Sequence, residues 1–337
     1  MRVARRVLIS LLNWNGGEDT LACIRSIKQS RYADYDILVT DNASSDGSAD
    51  RVEVLFPDVL LRRNQTNLGF AGGHNQAIKF AQQQGYELLW ILNNDTKLDP
   101  EALAALVSAM DRDSSVGMVS PVIIDDDDSG RIQFCGCSVD YGAFRFEHFN
   151  QVEEALQSQA GQPQAFCLWG TAILARTTLL ARLGGFDDVL FAYYEDLDLS
   201  IRVVREGFVN RIVPAAVIRH GGINDPDCRP PHYVYFNTRN RFLFWRKHVR
   251  SRDFIRLVRT HLAGALIYAS TWREKGNVDK ESAALLAIWD GLVGRGGAWD
   301  PSRRVPTFLS NLLLRFPYLI ADLLRGDVLK RLGRKAG

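Results

Sequence analysis

The sequence predicts an α/β fold in which helices flank a mostly parallel sheet, followed by a C-terminal helical extension. Three observations carry this expectation. Over the first two-thirds of the chain, short β-branched or apolar runs alternate with helix-length amphipathic segments, the pattern of βαβ units. Of the 337 residues 46% are apolar, enough to bury one large core. From Arg229 onward the composition turns basic and aromatic, which places the expected boundary between a domain at 1–228 and an extension at 229–337.

Strands are expected at 7–12, 36–41, 59–62, 88–93 and 116–123, with helices at 18–29, 73–84 and 100–111. Asp99 and Pro100 suit the N-cap and first position of the last of these helices. Each βα turn then presents polar residues at a strand's carboxyl end, where open α/β sheets bind ligands. The run of acids at 125–128, followed by Ser129 and Gly130, reads as a solvated turn, because a calcium loop needs alternating ligands and a distant glutamate. Residues 132–149 read as paired strands, and 153–164 as a polar excursion leading back to an apolar run at 165–175.

Composition excludes several classes. Lysine plus arginine, 41, nearly balances aspartate plus glutamate, 39, so attraction to phosphates or anionic lipid must come from local clusters. The five cysteines lack the paired spacings of a structural zinc and fit a reduced compartment; Cys135 and Cys137 read as buried or half-buried strand residues, with no chemistry assigned. The basic start at 1–6 and the apolar run at 7–12 are too short for a signal peptide or a membrane helix, so a cytoplasmic protein is expected. The apolar stretch at 308–324 is broken by Arg315, Pro317 and Asp322, and reads as an interfacial or packed helix.

Four segments carry candidate chemistry. The first two strands run into Asn13-Trp14-Asn15-Gly16 and Asp41-Asn42-Ala43-Ser44. An aspartate ending a buried strand suits nucleobase or ribose hydroxyl groups, and it also suits a plain turn; Ser48 is explained by capping the next helix. Residues 67–75 form a glycine-rich helix entry without the lysine of a P-loop or the spacing of a dinucleotide fingerprint. The strand at 88–93 ends in Asn93-Asn94-Asp95, and capping leaves Asp95 unexplained; a carboxylate there can hold a divalent ion bridging two phosphates. Glu195, Asp196 and Asp198 precede a helical pattern, more acid than the helix dipole requires, so one of them can serve as a general base. His220 closes a further strand. Gly170 and Thr171, after Trp169, read as the start of a helix where small residues allow a sugar to approach or simply pack tightly.

In order, the segments LISLLNWNG, ILVTDNASSDGS, NLGFAGGHNQAI, LLWILNNDTKLDP, WGTAILARTTLLARLGGFDD, FAYYEDLDLSIRVVREGF and IRHGG resemble family 2 glycosyltransferases, most of all the branch with rhamnosyltransferases of bacterial surface polysaccharides. The resemblance implies a Rossmann-like fold of the GT-A type and an inverting sugar transfer from a dTDP- or UDP-sugar, best dTDP-L-rhamnose, to a glycan or lipid-linked acceptor. It implies that Asp41 holds the base or ribose with help around Asn13 and Asn15, and that Asn67 and Gly69 lie beside the ribose and diphosphate. Asn94 joins the donor-binding set, and Trp169, Gly170 and Thr171 the acceptor or sugar pocket. Asp95 matches the last acid of the family's DXD motif and His220 its frequent metal partner, for Mg²⁺ or Mn²⁺. Asn93 stands where many relatives have the first acid, so it either binds the metal weakly or touches the ribose. Asp196 matches the catalytic base, with Glu195 as the alternative.

The segment 233–248 interleaves Tyr233, Tyr235, Phe236, Phe242, Phe244 and Trp245 with arginines and Lys247. Such a composition suits nucleic acid or the headgroup level of an anionic membrane. Behind a sugar-transfer domain the membrane is the expected partner, nucleic acid is not, and the protein is expected at the inner face of the plasma membrane; packing on the domain or a homodimer contact is the alternative.

Overall fold

The computed structural model describes residues 6–127, 129–222 and 226–325. The basic start at 1–5, the last acid of the 125–128 run and the tail at 326–337 lie outside the described residues. Two compact units form: one takes residues up to 191 together with 195–222, the other takes 192–194 and the rest of the chain.

In the first unit the order is β1 (Val7–Asn13), α1 (Gly17–Ile27), β2 (Tyr35–Asp41), α2 (Ser48–Leu55), β3 (Leu60–Arg63), α3 (Gly69–Gln84), β4 (Leu88–Asn93), β5 (Thr96–Leu98), α4 (Ala102–Arg112), β6 (Val116–Asp125) and β7 (Ile132–Phe134). Next come β8 (Cys137–Asp140), β9 (Arg145–His148), α5 (Val152–Gly161), β10 (Phe166–Cys167), β11 (Ala172–Arg176), α6 (Thr177–Arg182), α7 (Glu195–Arg205) and β12 (Val209–His220). The main sheet has the order β3-β2-β1-β4-β11-β6-β12-β5, with β7 against β6; β10, β8 and β9 form a second, three-stranded sheet. In the main sheet β3, β2, β1, β4, β6 and β12 run one way, while β5, β7 and β11 run the other. The sheet is therefore mostly parallel, as the sequence predicts, with one antiparallel strand wedged between β4 and β6. β1 and β4 are buried almost throughout, which is why they read as continuous apolar runs: helices cover both faces of the sheet.

Three local expectations are corrected. α3 begins at Gly69 and not at residue 73, so the glycines form its first turn. A Cβ at Gly73 would stand 2.3 Å from Leu12 Cδ1, and this close seating of α3 on β1 is what that glycine permits. The turn at 169–171 leads into strand β11 and not into a helix. Asp125 is 2% exposed, so the start of the acidic run is buried and not solvated.

Cys135 and Cys137 are buried as expected, on either side of Gly136, which has a φ of 111°. Burial pushes the Cys135 thiol up to about 11 and that of Cys23 up to about 12, so both stay protonated.

The second unit contains α8 (Pro231–His248), α9 (Phe254–Glu274), α10 (Val278–Val293), α11 (Thr307–Leu313) and α12 (Pro317–Arg325). α8 corrects the membrane reading of 233–248. Tyr235, Phe236, Phe242, Phe244 and Trp245 are buried, and Arg239 is wholly buried with its guanidinium about 5 Å from the rings of Tyr235 and Phe236. The aromatic residues of α8 therefore pack inside its unit, while Arg241, Arg246 and Lys247 stay at the surface. Asp290 anchors that packing, accepting from Tyr235 Oη at 2.6 Å and from both Arg303 nitrogens at 2.7 and 2.8 Å. Asn240 Nδ2 donates to the carbonyls of Ala192 and Tyr193, each at 2.7 Å. No single helix among the described residues is long and apolar enough to cross a membrane; α11 and α12 meet that composition only as a pair bent by 60°.

Candidate functional site

The site residues come together at the carboxyl ends of the main sheet's parallel strands. Parallel pairing sets Asn13 opposite Asp41 at the ends of β1 and β2. Asn13 Nδ2 donates to Asp41 Oδ1 at 2.7 Å, to Ser48 Oγ at 2.8 Å and to Ser44 Oγ at 3.1 Å, while its Oδ1 accepts from Thr20 Oγ1 at 2.7 Å and from the Gly16 amide at 3.2 Å. Wholly buried and saturated, Asn13 aims Asp41 and has no group left for a ligand. Asn15, left-handed at φ 54°, clamps the following loop by accepting from the Ser45 amide at 2.8 Å. Ser48 is the first residue of α2 and not its cap: Gly47 holds the N-cap position at φ 75°, and Asp46 accepts from the Ser48 amide at 3.0 Å.

Asn67 Oδ1 accepts from the Gly69 amide at 2.8 Å and from Asn42 Nδ2 at 3.1 Å. Gly69 has a φ of 73°, and a Cβ there would lie 2.4 Å from the Phe191 carbonyl oxygen, so both conformation and space demand glycine. Asn42, 1% exposed, also donates to the Gly69 carbonyl at 3.0 Å and ties the two segments together. The sequence offers only its place beside Asp41 as a clue to that role.

β4 turns at once into β5, which pairs antiparallel with the end of β12 so that Thr96 faces His220. This register sets Asp95, one residue earlier, against the imidazole: Asp95 Oδ1 lies 3.3 Å from His220 Nε2. Asn93 Nδ2 approaches the same nitrogen at 3.4 Å. Asn94 turns away and donates to Thr20 Oγ1 at 2.7 Å. Burial acts to raise the Asp95 carboxyl, but the adjacent His220 imidazole outweighs it, leaving the group below the usual carboxylate range. The other imidazole nitrogen, Nδ1, is 2.9 Å from Gln133 Oε1, a partner that no sequence motif signals.

Asp196 lies at the start of α7. Its Oδ2 accepts from the Gly170 amide and its Oδ1 from the Leu197 amide, each at 2.7 Å. Burial raises its carboxyl and the two amides pull back only part of that rise, so the net shift is upward. A Cβ on Gly170 would press to 3.0 Å from Phe70 Cζ and 3.4 Å from Asp196 Cβ. Thr171 accepts from the Asn93 amide through its carbonyl at 2.9 Å, so the Gly170–Thr171 backbone links Asp196 to the Asn93–Asp95–His220 cluster. Trp169 stacks on Phe134, with centroids 4.0 Å apart. Glu195 is 4% exposed, and its Oε2 has no hydrogen-bond partner. Burial, then the charges of Asp196 and Asp198, hold it well above the usual range.

Among the described residues no group of three or more His, Cys, Asp or Glu side chains gathers that could hold a metal. Asp95 and His220 are at most a half-site, of the kind that suits an ion taking its other ligands from phosphates and water.

The profile described as Glycosyl transferase family 2 matches residues 9–184. The chain is 25% identical over 226 residues to the N-acetylglucosaminyl-diphospho-decaprenol L-rhamnosyltransferase of Mycobacterium tuberculosis, covering 62% of this chain and 73% of that one. It is 25% identical over 277 residues to the dTDP-rhamnosyl transferase RfbF of Shigella flexneri, covering 77% and 87%. Two solved structures share the fold. The mannosyltransferase PcManGT from Pyrobaculum calidifontis, in complex with GDP-Man and Mn²⁺, has a TM-score of 0.53 at 17% identity, covering 97% of this chain and 87% of that one. S. aureus TarS 1-349, in complex with UDP-GlcNAc, has a TM-score of 0.54 at 14% identity, covering 98% and 92%. With half of its length matched by the family profile and a sheet of the GT-A type, the chain belongs to glycosyl transferase family 2 and is a glycosyltransferase.

Proposed function

We propose that the enzyme is an inverting rhamnosyltransferase that moves L-rhamnose from a nucleoside-diphosphate donor, dTDP-L-rhamnose, to a hydroxyl of a lipid-linked or glycan acceptor in cell-surface polysaccharide synthesis. The two named relatives support the sugar. The observation that carries the mechanism is Asp196, a carboxylate with a raised proton affinity whose two oxygens are held by backbone amides, joined through Gly170 and Thr171 to the Asp95–His220 pair.

Asp41 would hold the base or ribose of the donor, aimed by Asn13, with Asn67 and Gly69 alongside. Trp169, Gly170 and Thr171 would border the transferred sugar or the acceptor. Asp196 would take the proton of the acceptor hydroxyl as its oxygen bonds to the anomeric carbon and the bond to the diphosphate breaks, inverting that centre. Two 2.7 Å amide bonds keep the base in one rotamer, so it is oriented before substrate arrives. Glu195, whose carboxyl burial and the neighbouring acids push well above the usual range, has an oxygen with no hydrogen-bond partner, whereas both oxygens of Asp196 are held by backbone amides, so the role falls to Asp196.

The donor set fits a divalent cation. Asp95 Oδ1 is buried without a hydrogen-bond partner and faces His220 Nε2. Mg²⁺ or Mn²⁺ on these two residues would offset the charge that builds on the departing diphosphate. Asn93 would contribute at most a weak oxygen or touch the ribose.

We further infer peripheral contact with anionic lipid at the cytoplasmic face of the membrane, through α11 and α12 and not through α8. Phe308 and Leu312 on α11, Phe316 at the bend, and Leu319 and Leu323 on α12 are each more than half exposed. Arg259 reaches this segment, donating to the Leu324 carbonyl, and Arg315 lies between the two helices, with Asp322 as the acid of the same segment. Release of dTDP from dTDP-L-rhamnose that depends on added lipid-diphosphate acceptor tests the transfer; equal turnover with another nucleotide sugar and none with this one would overturn the choice of sugar.

A further inference from the structure

We infer that Gln133 is a positioning residue that fixes the tautomer of His220, keeping Nε2 open as a ligand for the cation carried by the donor diphosphate. The inference rests on the half-site reading of Asp95 and His220. It starts from strand register. β6 and β12 run parallel with Asp125 opposite His220, and β7 folds back on β6, so Gln133 reaches both strand ends.

Gln133 Nε2 donates to Asp125 Oδ1 at 2.5 Å and to the His220 carbonyl at 3.0 Å. A carboxylate and a carbonyl can only accept, so the amide has one orientation that satisfies both. That orientation turns Oε1 to the imidazole, where it lies 2.9 Å from Nδ1. Nδ1 must then donate, and in the neutral ring Nε2 keeps its lone pair. This lone pair lies 3.3 Å from Asp95 Oδ1, which has no hydrogen-bond partner, and 3.4 Å from Asn93 Nδ2, so a cation seated there would meet a nitrogen and a carboxylate oxygen together. Asp125 is itself fixed: it is 2% exposed, bonded to the Arg131 guanidinium, and its amide donates to the Arg131 carbonyl at 2.9 Å. The order Arg131, Asp125, Gln133, His220 therefore runs from the acidic turn to the metal-facing nitrogen. Hydrogen-bond partners behind a metal-bound histidine set its orientation and basicity, and their loss weakens metal binding about 10- to 100-fold.

The test titrates Mn²⁺, read by the spin resonance of the free ion, into the full chain in the presence of dTDP and, separately, UDP. Gln133→Leu should weaken Mn²⁺ binding about 10- to 100-fold. Gln133→Glu combined with Asp125→Asn re-creates an acceptor at Nδ1 with a donor behind it but gives up the bond to the His220 carbonyl, and should recover part of the loss. A folded Gln133→Leu variant that binds Mn²⁺ as the wild type does would overturn the inference, and so would a double variant as weak as Gln133→Leu. Nitrogen NMR of the wild-type imidazole, without metal, needs no variant: a bare Nε2 beside a protonated Nδ1 supports the inference, and the opposite tautomer overturns it. Wild-type protein that takes up no Mn²⁺ with either nucleotide would bring down the half-site itself, a failure visible before any variant is measured.

Discussion

Asp95 Oδ1 and His220 Nε2 stand 3.3 Å apart because β5, only three residues long, pairs with the last residues of β12. An acid from one strand end and an imidazole from another are held by sheet register, so their spacing does not wait for a ligand. Replacing Asp95 with alanine should therefore weaken donor binding only where a cation contributes. Calorimetry of dTDP binding should show a loss of roughly tenfold or more with Mn²⁺ present and little change in chelator. Equal losses under both conditions would mean that Asp95 contacts the nucleotide directly.

Asp196→Asn preserves the shape and one of the two backbone contacts, since its amide nitrogen cannot accept from the second N–H, and it cannot accept the proton. Turnover should fall by about 10²- to 10⁴-fold while the dissociation constant for the donor stays close to that of the wild type. The raised carboxyl also fixes a pH dependence: wild-type kcat/KM should rise with pH along a limb centred above the ordinary aspartate value of about 3.9, as the base loses its proton. The asparagine variant should lack that limb. Its survival would assign the titration to another group.

Glu195 makes a statement about stability. Its folded pKa lies above its unfolded value, so the folded state keeps the proton to higher pH than the unfolded chain does. The stability gained in this way is complete below the unfolded pKa, about 4.3, and is lost as pH rises through the folded pKa. Glu195→Gln stays neutral throughout and cannot pay that penalty. The variant should melt at a temperature near the wild type's in acid and above it by several degrees at neutral pH, since each kcal/mol moves the midpoint by roughly 2–4 °C in a domain of this size. Melting curves whose difference is flat with pH would show that Glu195 ionises freely in the folded protein.

Gly69 can be separated from its proposed place near the donor by a stability measurement. Its φ of 73° and the 2.4 Å approach of the Phe191 carbonyl oxygen oppose any side chain. Gly69→Ala should cost about 1–3 kcal/mol from backbone strain alone, and more from the clash. Urea unfolding that shows no loss would require the 67–69 turn to relax without disturbing Asn42 and Asn67.

What the sequence shows and hides follows from whether a feature is local. β1, β2 and β4 are legible because burial on both faces makes them continuous apolar runs, and the polar residues that end them form the candidate site. The direction of β11 is not legible: it is set by the small sheet of β8, β9 and β10 that precedes it, which brings the chain back to β4 from the opposite end. That reversal is also why Gly170 and Thr171 precede a strand and meet Asp196 and Asn93 through their backbone. α8 misleads because aromatic and basic residues look alike whether they face lipid or a core, and only packing against α10 decides. Gln133 and Asp125 carry no motif at all; each matters through the residue that register places opposite it.

The membrane contact makes a prediction that separates charge from apolar insertion. α12 lies against α9, with Arg259 Nε donating to the Leu324 carbonyl at 2.6 Å, while Arg273 at the far end of α9 donates to Ser310 Oγ in α11 at 2.6 Å. The two helices thus run back along α9, and Leu323 ends near the arginines of its first turns. If the arginines alone bound lipid, salt near physiological strength and above would release the protein, because exposed charges are screened beyond roughly 8 Å there. Insertion of Phe316, Leu319 and Leu323 adds a component that salt does not weaken, of about 25 cal/mol for each Å² of apolar surface removed from water. Flotation with phosphatidylglycerol vesicles should fall only in part when salt is raised, and Leu319→Ser with Leu323→Ser should make the remainder salt-sensitive while nucleotide binding is unchanged. Complete release of the wild type by salt would reduce the contact to electrostatics, and a dimer that these two substitutions dissociate would assign the stripe to a second copy of the chain.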